Sequence, residues 1–338
     1  MDQVQSCARC PNTTRNPTVR ILPSGLCAIC HWWAESPHAS IRRRELQHVR
    51  ALAGGGRGEV DALVGLSGGK DSTATLVRVL KMGFTPVAIT FDTGYYPAHI
   101  TQRAARVAAQ LGVRHEVVDL RPHIQPEDRA SYVLTAELYD REETPLLAER
   151  FRELYLLGRE RYSVKQREPM AYVRTCQLCR RLVVPAYHRE AARHGARVFF
   201  LGTNEWVGLS QNPGNGRYTF SAVRRLQPPG AHEPVLVVHL PFLLGAGLED
   251  TVSVLREVGW EPPAGERVVE SSANSCLLGR VAEAKAARLL GFHPDTVRLA
   301  REVTCGFLPR EEAERALAAP HEATGSVRQV LTGAGILS

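Results

Sequence analysis

The feature that most constrains this chain is a glycine-rich segment between a strand pattern and a helix pattern. An apolar run of buried-strand type at residues 60–66 leads into SGGKDS at residues 67–72, and a helical pattern follows at 73–82. Glycines let successive backbone N–H groups point inward, and the positive end of the following helix faces the same place. The arrangement predicts an anion-binding loop at the carboxyl end of a strand.

The side chains of this segment suit a magnesium–phosphate ligand. Lys70 adds a full positive charge, and Asp71 can hold Mg²⁺ directly or through water. Ser67 and Ser72 offer hydroxyl groups to phosphate oxygens. The segment is not a GxxxxGK motif followed by Ser or Thr, because Val64 holds the first glycine position and Asp71 follows the lysine. The chemistry therefore need not be cleavage at a γ-phosphate.

Strand and helix patterns alternate after the N-terminal region. This β-α-β-α-β order predicts an α/β fold, a parallel sheet with helices on both faces. Short helices dominate from residue 248 onward. Strands are predicted at 60–66, 86–91, 115–120 and 197–202, and helices at 39–53, 73–82, 99–111, 178–194, 248–258, 278–290, 294–303 and 310–318.

Composition and these patterns divide the chain into four parts. We expect a four-cysteine segment over 1–38, a helical linker over 39–58, a nucleotide-binding domain over 59–245 with an insertion at 121–170, and a helical region over 246–338. No apolar run reaches the roughly 18 residues of a membrane helix, and the beginning lacks a secretory-signal pattern. A cytoplasmic, reducing location is expected, where the eight cysteines serve metals or catalysis rather than disulfides.

The first four cysteines have the spacing of a metal site. Cys7, Cys10, Cys27 and Cys30 form two CxxC pairs separated by 16 residues, as in a four-thiolate zinc site. Four thiolates complete a closed tetrahedron, which suits a structural metal. Because a segment this short has almost no hydrophobic core of its own, the metal would supply its folding free energy, on the order of 10 kcal/mol. Zinc is favoured over iron, an iron–sulfur site or free thiols.

Three later cysteines form a second candidate site. Cys176 and Cys179 open the helix before the strand at 197–202, and Cys276 lies far downstream. Thiols at a helix N-terminus are expected to have lowered pKa values and to bind metal or react. The three thiols fit a [4Fe-4S] cluster with one open iron, a second zinc site, a redox pair, or a CxxC beside an unrelated cysteine. Cys305 is interpreted as a small packed residue.

The strand–SGGKDS–helix unit resembles the PP-loop ATP pyrophosphatases, or adenine nucleotide α-hydrolases, of the HUP-like fold. The resemblance implies that the loop grips the β- and γ-phosphates of ATP–Mg²⁺ while a substrate oxygen attacks the α-phosphate. Pyrophosphate then leaves, and a nitrogen or sulfur nucleophile displaces AMP. The resemblance implies that the phosphates are contacted by the loop residues Ser67, Gly68, Gly69, Lys70, Asp71 and Ser72. It implies that adenosine lies near the end of the second strand, at Thr90, Phe91 and Asp92. It also implies that Gly202, Thr203 and Asn204, after the later strand, close over the nucleotide.

Two branches of this superfamily are similar to the wider chain. The opening CARCPNTTRNPTVRILPSGLCAIC is similar to N-acetyl sugar amidotransferase-like proteins, which begin with two CxxC knuckles around Thr-Thr-Arg-x-Pro; Cys276, Gly291-Phe292 and LPREEA at 308–313 extend this likeness. The CxxC with a distant third cysteine instead resembles PP-loop tRNA thiolases. Those thiolases usually carry an aspartate pair where this chain has Glu205 alone, so Glu205 is the candidate acid–base residue.

Two functional hypotheses follow. The favoured one is an enzyme that adenylates an oxygen of a small molecule such as a sugar and replaces it with nitrogen, using ammonia from a glutaminase partner. The alternative is a sulfurtransferase that thiolates tRNA or a metabolite through Cys176, Cys179 and Cys276, with a sulfur carrier as partner. tRNA is not the favoured acceptor, and no membrane partner is expected. The sequence leaves open whether the protein forms a homodimer. The net charge of +7 suits an anionic partner and equally an arginine-rich surface.

Overall fold

The computed structural model of the chain describes residues 3–55, 59–160, 168–228, 230–261, 269 and 276–338. The strands are β1 (Ala62–Gly65), β2 (Pro86–Asp92), β3 (His115–Asp119), β4 (Val198–Leu201), β5 (Gly208–Gln211), β6 (Tyr218–Ser221), β7 (Val223–Leu226) and β8 (Val235–His239). The helices are α1 (Ala28–Glu35), α2 (His38–Arg50), α3 (Lys70–Lys81), α4 (Ala98–Gln110), α5 (Pro126–Asp140), α6 (Pro145–Glu160), α7 (Cys176–His194), α8 (Leu240–Leu244), α9 (Leu248–Glu257), α10 (Leu277–Leu290), α11 (Thr296–Thr304), α12 (Arg310–Ala318) and α13 (Val327–Gly333). A 3-10 helix spans Arg121–His123.

Six strands form one sheet in the order β3-β2-β1-β4-β8-β7. All neighbours are parallel except β7, which runs antiparallel to β8 at one edge. The chain moves outward from β1 through β2 to β3 and then crosses to β4 on the other side of β1. The order therefore reverses between β1 and β4, where ligands bind in open α/β sheets. The parallel sheet predicted from sequence is confirmed.

The central strands are apolar because helices cover both faces of the sheet. Leu63 of β1 lies opposite Phe199 of β4, and Val64 lies opposite Phe200. Leu63 and Phe199 belong to the hydrophobic cluster on one face, while Val64 and Phe200 belong to the cluster on the other. The two faces thus have separate cores, and the loops at the strand ends are held between them.

The segment predicted as an insertion builds a further core with the C-terminal helices. Tyr132 of α5 and Phe151 of α6 are fully buried in one cluster with Leu278 of α10 and Leu331 of α13. Residues 161–167 of this predicted insertion, 56–58 of the predicted linker and 262–268 and 270–275 of the C-terminal region lie outside the described residues. None of the described helices is long and apolar enough to cross a membrane.

Most predicted helices are present, with two informative differences. The helix predicted at 73–82 begins at Lys70, because Gly69 is its N-cap and the first helical hydrogen bond runs from Thr73 N–H to the Gly69 carbonyl at 3.0 Å. Its first turn therefore consists of loop residues. Helix α13 was not predicted; it begins with a capping box between Ser326 and Gln329.

Candidate active site

The loop at residues 67–72, called the phosphate loop below, has the conformation that its glycines allow. Gly68 has a φ of 70°, and a Cβ there would lie 2.7 Å from the backbone nitrogen of Ala104 on α4. Glycine is therefore required both by the left-handed backbone and by the close approach of α4. The loop ends at the N-terminus of α3, whose first-turn N–H groups have no acceptor within the helix. These groups and the helix dipole favour an anion.

Hydrogen bonds between the two serines hold the phosphate loop in shape. Ser72 Oγ accepts from the Ser67 N–H at 3.2 Å and lies 3.1 Å from Ser67 Oγ. It also donates to the Gly69 carbonyl at 3.1 Å. The loop is thus organised by its own side chains, so little ordering is needed when a ligand binds.

Lys70 and Asp71 place opposite charges at the start of α3. Lys70 Nζ lies 2.5 Å from Asp71 Oδ2, and both side chains are mostly buried. The other carboxylate oxygen, Asp71 Oδ1, is buried and has no hydrogen-bond partner among the described residues. An unsatisfied buried carboxylate oxygen beside an anion-binding loop fits Mg²⁺, which takes oxygen ligands from one or two carboxylates and from phosphates.

Gly202 lets the end of β4 pack against the first turn of α3. A Cβ at this position would lie 2.7 Å from the carbonyl oxygen of Asp71 and 2.8 Å from the nitrogen of Ser72. A larger residue would therefore push β4 away from the phosphate loop. The close packing places Thr203 beside the loop, in the cavity described below, and buries Asn204.

The end of β2 has a more structural arrangement. Thr90 Oγ1 donates to the Leu66 carbonyl at 2.5 Å and lies 2.8 Å from His115 Nε2, so it links β2 to the start of β3 and to the residue that follows β1. Asp92 Oδ1 accepts from the Gly94 N–H at 2.7 Å in a turn. Thr90 and Phe91 line the adjoining cavity, whereas Asp92 is not in its lining. Contact with adenosine at this strand end stays a prediction.

A cavity of about 560 Å³ opens beside the phosphate loop at the carboxyl ends of the strands. We call it the edge cavity. Its volume is in the usual range for small-molecule sites, and its lining is mostly apolar with a few polar groups. Predicted site residues from distant parts of the sequence line it together: Ser67, Thr90, Phe91, Cys176, Cys179, Thr203, Glu205 and Cys276.

Comparison with known proteins supports this interpretation of the loop. Residues 61–161 match the family model described as queuosine biosynthesis protein QueC. A 7-cyano-7-deazaguanine synthase from Psychromonas ingrahamii is 41% identical over 54 residues, which are 16% of this chain and 24% of that protein. The synthase from Paramagnetospirillum magneticum is 45% identical over 60 residues, 18% of this chain and 26% of that protein.

The matched region, residues 61–161, belongs to the PP-loop ATP pyrophosphatase superfamily. The chain spans about a quarter of the length of the curated relatives it matches. Among solved structures, an NMN synthetase from Francisella tularensis matches with a TM-score of 0.21 and 15% identity, over 42% of this chain and 68% of that one. That likeness is too weak to inform function, so the superfamily rests on the matched sequence around the PP-loop.

Helix α11 brings a carboxylate to the PP-loop that sequence motifs did not reveal. Glu302 is buried, and burial raises its pKa to about 7 against the opposing positive charges of Arg298 and Lys70. Its Oε1 accepts from Arg298 Nη1 at 2.6 Å. Nothing in the sequence near Glu302 marks it, apart from the i,i+4 spacing to Arg298 that also occurs on ordinary helix surfaces.

Two aromatic residues from the C-terminal region also contact the PP-loop. Trp260 Nε1 donates to the Gly68 carbonyl at 3.0 Å, and Lys70 Nζ lies 5.6 Å from the centre of the Phe307 ring. These contacts enclose the loop and lower the local exposure to water, which strengthens its interaction with charge. Residues of the region after 246 therefore form part of the surroundings of the PP-loop.

The three later cysteines share the edge cavity but not the expected acidity. Desolvation raises the pKa of the half-buried Cys179 and, to about 12, of the half-buried Cys276, and it also raises the pKa of the more exposed Cys176 against the opposing effect of Arg174. The prediction of lowered pKa values at the helix N-terminus is therefore wrong, because desolvation outweighs the dipole. Cys179 Sγ lies 3.5 Å from the Tyr96 hydroxyl, and Cys276 Sγ caps α10 by accepting from Gly279 N–H at 3.3 Å.

The first four cysteines converge on one buried centre, as predicted. The sulfur atoms of Cys7, Cys10, Cys27 and Cys30 lie within 4.8 Å of one another, and all four residues are buried. The backbone N–H groups of Arg9 and Cys27 donate to Cys7 Sγ at 3.4 and 3.2 Å, which stabilises a thiolate. This donor set could hold a metal ion, and four cysteine sulfurs with no open position suit structural zinc.

The four-cysteine centre is attached to the helix that carries Glu302. Cys30 Sγ lies 3.1 Å from Thr304 Oγ1, and Arg9 Nη2 donates to the Thr304 carbonyl at 2.8 Å. Arg310 Nη1 donates to the Cys7 carbonyl at 3.0 Å. The cysteines also share a hydrophobic cluster with residues of α11 and α12. The N-terminal segment is therefore packed directly against α11.

Proposed function

We propose that this protein is an ATP-dependent, AMP-forming enzyme that adenylates an oxygen of a small acceptor, such as a sugar, and replaces it with nitrogen. The observation that carries the proposal is the PP-loop opening into the edge cavity at the point where the strand order reverses. Phosphates bind at one end of this space and an acceptor enters at the other.

The residues have distinct roles in this scheme. The N–H groups at the start of α3 and Lys70 hold the β- and γ-phosphates, and Asp71 would hold Mg²⁺, which would offset the phosphate charge. The acceptor oxygen attacks the α-phosphorus, and pyrophosphate leaves. Ammonia then attacks the carbon, and AMP departs with the acceptor's former oxygen. A glutaminase would supply the ammonia.

Two observations favour nitrogen over sulfur. The relatives are named as synthases of a cyano compound, and a cyano group contains nitrogen. Desolvation raises the pKa of Cys179 and Cys276, which disfavours the free thiolates that a persulfide route would use. We therefore do not favour the sulfurtransferase with an iron–sulfur or persulfide site.

The products of the reaction test the proposal directly. The full-length protein with ATP, Mg²⁺, ¹⁵N-ammonium chloride and a panel of sugars should release AMP and pyrophosphate in equal amounts and incorporate one ¹⁵N per AMP. With an ¹⁸O-labelled acceptor, mass spectrometry should find the label in AMP. ADP as the product would contradict the PP-loop chemistry. AMP formation that depends on sulfide rather than ammonium would restore the sulfur hypothesis.

His239 is the proposed base for the attacking nitrogen. It lies at the end of β8 in the edge cavity, and its Nδ1 lies 2.7 Å from the Glu205 carbonyl. A carbonyl only accepts, so Nδ1 carries the proton and Nε2 keeps a lone pair. Burial, with Arg180 and Arg224, lowers the His239 pKa from 6.5 against the opposing effect of Glu205. The ring is therefore neutral at physiological pH and can take a proton.

His239 should produce an acid limb in the pH–rate profile. At a fixed concentration of free ammonia, the rate of amination should fall as the pH drops through a pKa below 6.5, because protonation removes the Nε2 lone pair. His239→Asn should remove this limb and lower the rate about 10²-fold or more. His188→Asn is the matched control, since His188 is half-buried outside the lining of the edge cavity and its Nε2 lies 3.1 Å from the Glu233 carbonyl. An acid limb retained in His239→Asn would exclude this role.

A further inference from the structure

Arg301 of α11 brings a guanidinium group to the edge cavity from outside every predicted motif. It lines the cavity together with Ser67 of the PP-loop and His239 of β8. Its Nη1 donates to Glu205 Oε2 at 3.1 Å, and its guanidinium carbon lies 5.5 Å from the centre of the Trp206 ring. A carboxylate and an aromatic ring therefore fix the position of this group.

The hydrogen bonding of Arg301 is incomplete. The bond to Glu205 uses Nη1, whereas Nε is buried and has no acceptor among the described residues. Its side chain forms no other hydrogen bond within the described part of the chain. A buried donor without a partner costs free energy, and the planar guanidinium group is suited to bind two phosphate oxygens at once. The side chain is 34% exposed, so a ligand in the cavity can reach it.

Neighbouring contacts place Arg301 between the PP-loop and His239. Just beyond the same helix, the ring centre of Phe307 lies 5.6 Å from Lys70 Nζ. On the other side, the carbonyl of Glu205 lies 2.7 Å from His239 Nδ1. In the proposed reaction, pyrophosphate leaves from the PP-loop and nitrogen attacks beside His239. The α-phosphate is bonded first to the pyrophosphate and then to the acceptor oxygen, so it lies between these two places.

We infer that Arg301 is a catalytic residue that binds the α-phosphate of ATP and then of the adenylated acceptor. The inference rests on the proposed function, which places both steps in this cavity. When ammonia adds to the carbon, the C–O bond breaks with its electron pair on the oxygen of AMP. The proton released by the nitrogen goes to His239, and the guanidinium group stabilises the negative charge that AMP gains.

Glu205 is then a positioning residue rather than the acid–base residue. Its carboxylate is bonded to Arg301, and its carbonyl is within hydrogen-bond distance of His239. An arginine held by a carboxylate through Nη1 keeps Nε and Nη2 for a second anion, because its donors are arranged in a rigid fork.

Binding of AMP and of pyrophosphate to the full-length protein tests this inference, because AMP carries the α-phosphate and pyrophosphate does not. Calorimetric titrations with Mg²⁺ should show that Arg301→Gln weakens AMP binding about 10-fold or more and leaves pyrophosphate binding nearly unchanged. Lys70→Ala should have the reverse effect. Arg301→Lys should bind AMP with intermediate affinity, because it keeps the charge but loses the fork. This variant decides the question if Arg301→Gln fails to fold.

Arg288→Gln is the matched control, since Arg288 also pairs with a glutamate, Glu143, but in an exposed ion pair on α10. It should leave both affinities unchanged. Unchanged AMP binding in Arg301→Gln, or equal weakening of AMP and pyrophosphate binding, would overturn the inference. Failure of the wild type to bind α,β-methylene-ATP would instead refute the proposed function.

Glu205→Gln separates positioning from acid–base chemistry. The amide oxygen can still accept from Arg301, so AMP formation should slow only a few-fold and AMP affinity should fall slightly. Loss of all turnover with AMP binding intact would make Glu205 the acid–base residue and overturn its positioning role.

Discussion

Replacing Lys70 with alanine should lower the rate of AMP formation about 10²- to 10³-fold or more. The substitution removes a mostly buried positive charge from the N-terminus of α3, where the leaving pyrophosphate gains negative charge in the transition state. A preorganised charge in such a site typically contributes about 3–4 kcal/mol to transition-state stabilisation. Because Lys70 also neutralises Asp71, the affinity for ATP–Mg²⁺ should fall as well.

Asp71→Asn separates the role of the metal from that of the charge. The amide keeps the shape of the side chain but binds Mg²⁺ weakly, so AMP formation should require a much higher Mg²⁺ concentration.

Lys81→Ala is the matched control for Lys70→Ala, because Lys81 lies in the last turn of the same helix and is exposed beside Glu257. Wild-type rates in Lys70→Ala, measured by release of AMP under saturating ATP, would show that this loop does not hold the phosphates.

The parts of the site that sequence could predict are those made by contiguous residues. All six PP-loop residues are adjacent in the chain, and their glycines and charges are informative without any tertiary contact. The four cysteines of the N-terminal centre are recognisable because each CxxC pair is local. The parallel sheet follows from the alternation of patterns, since parallel strands need crossover helices.

The parts that sequence did not reveal depend on tertiary contacts. Glu302 and Arg224 reach the site from elements far from the PP-loop, and neither lies in a recognisable motif. His239 ends a buried strand, where a histidine is as compatible with packing as with catalysis. The prediction of a lowered pKa at Cys179 is wrong for a related reason: the N-terminus of the helix can be predicted from the sequence, but the surrounding residues that desolvate the thiol cannot.

The four-cysteine centre has an effect beyond its own segment in the structure. Glu302 is on the same helix as Thr304, two residues earlier, and Thr304 contacts both Cys30 and Arg9. If zinc is lost, the N-terminal segment loses metal-binding free energy on the order of 10 kcal/mol, comparable to the whole stability of a typical domain. The segment would then unfold locally, and α11 would lose the contacts that place Glu302 near Lys70 and Asp71.

Cys27→Ser should therefore remove about one equivalent of zinc and loosen α11. Zinc content by plasma mass spectrometry should fall by one per chain, and hydrogen exchange in α11 should become faster. Cys305→Ser is the matched control: Cys305 follows α11 and donates to the Asn204 carbonyl at 3.0 Å, a bond that serine can keep. Unchanged zinc in Cys27→Ser would refute the metal site. Zinc loss with unchanged exchange in α11 would show that the centre stabilises only its own segment, because the contacts through Thr304 would then not determine the position of the helix.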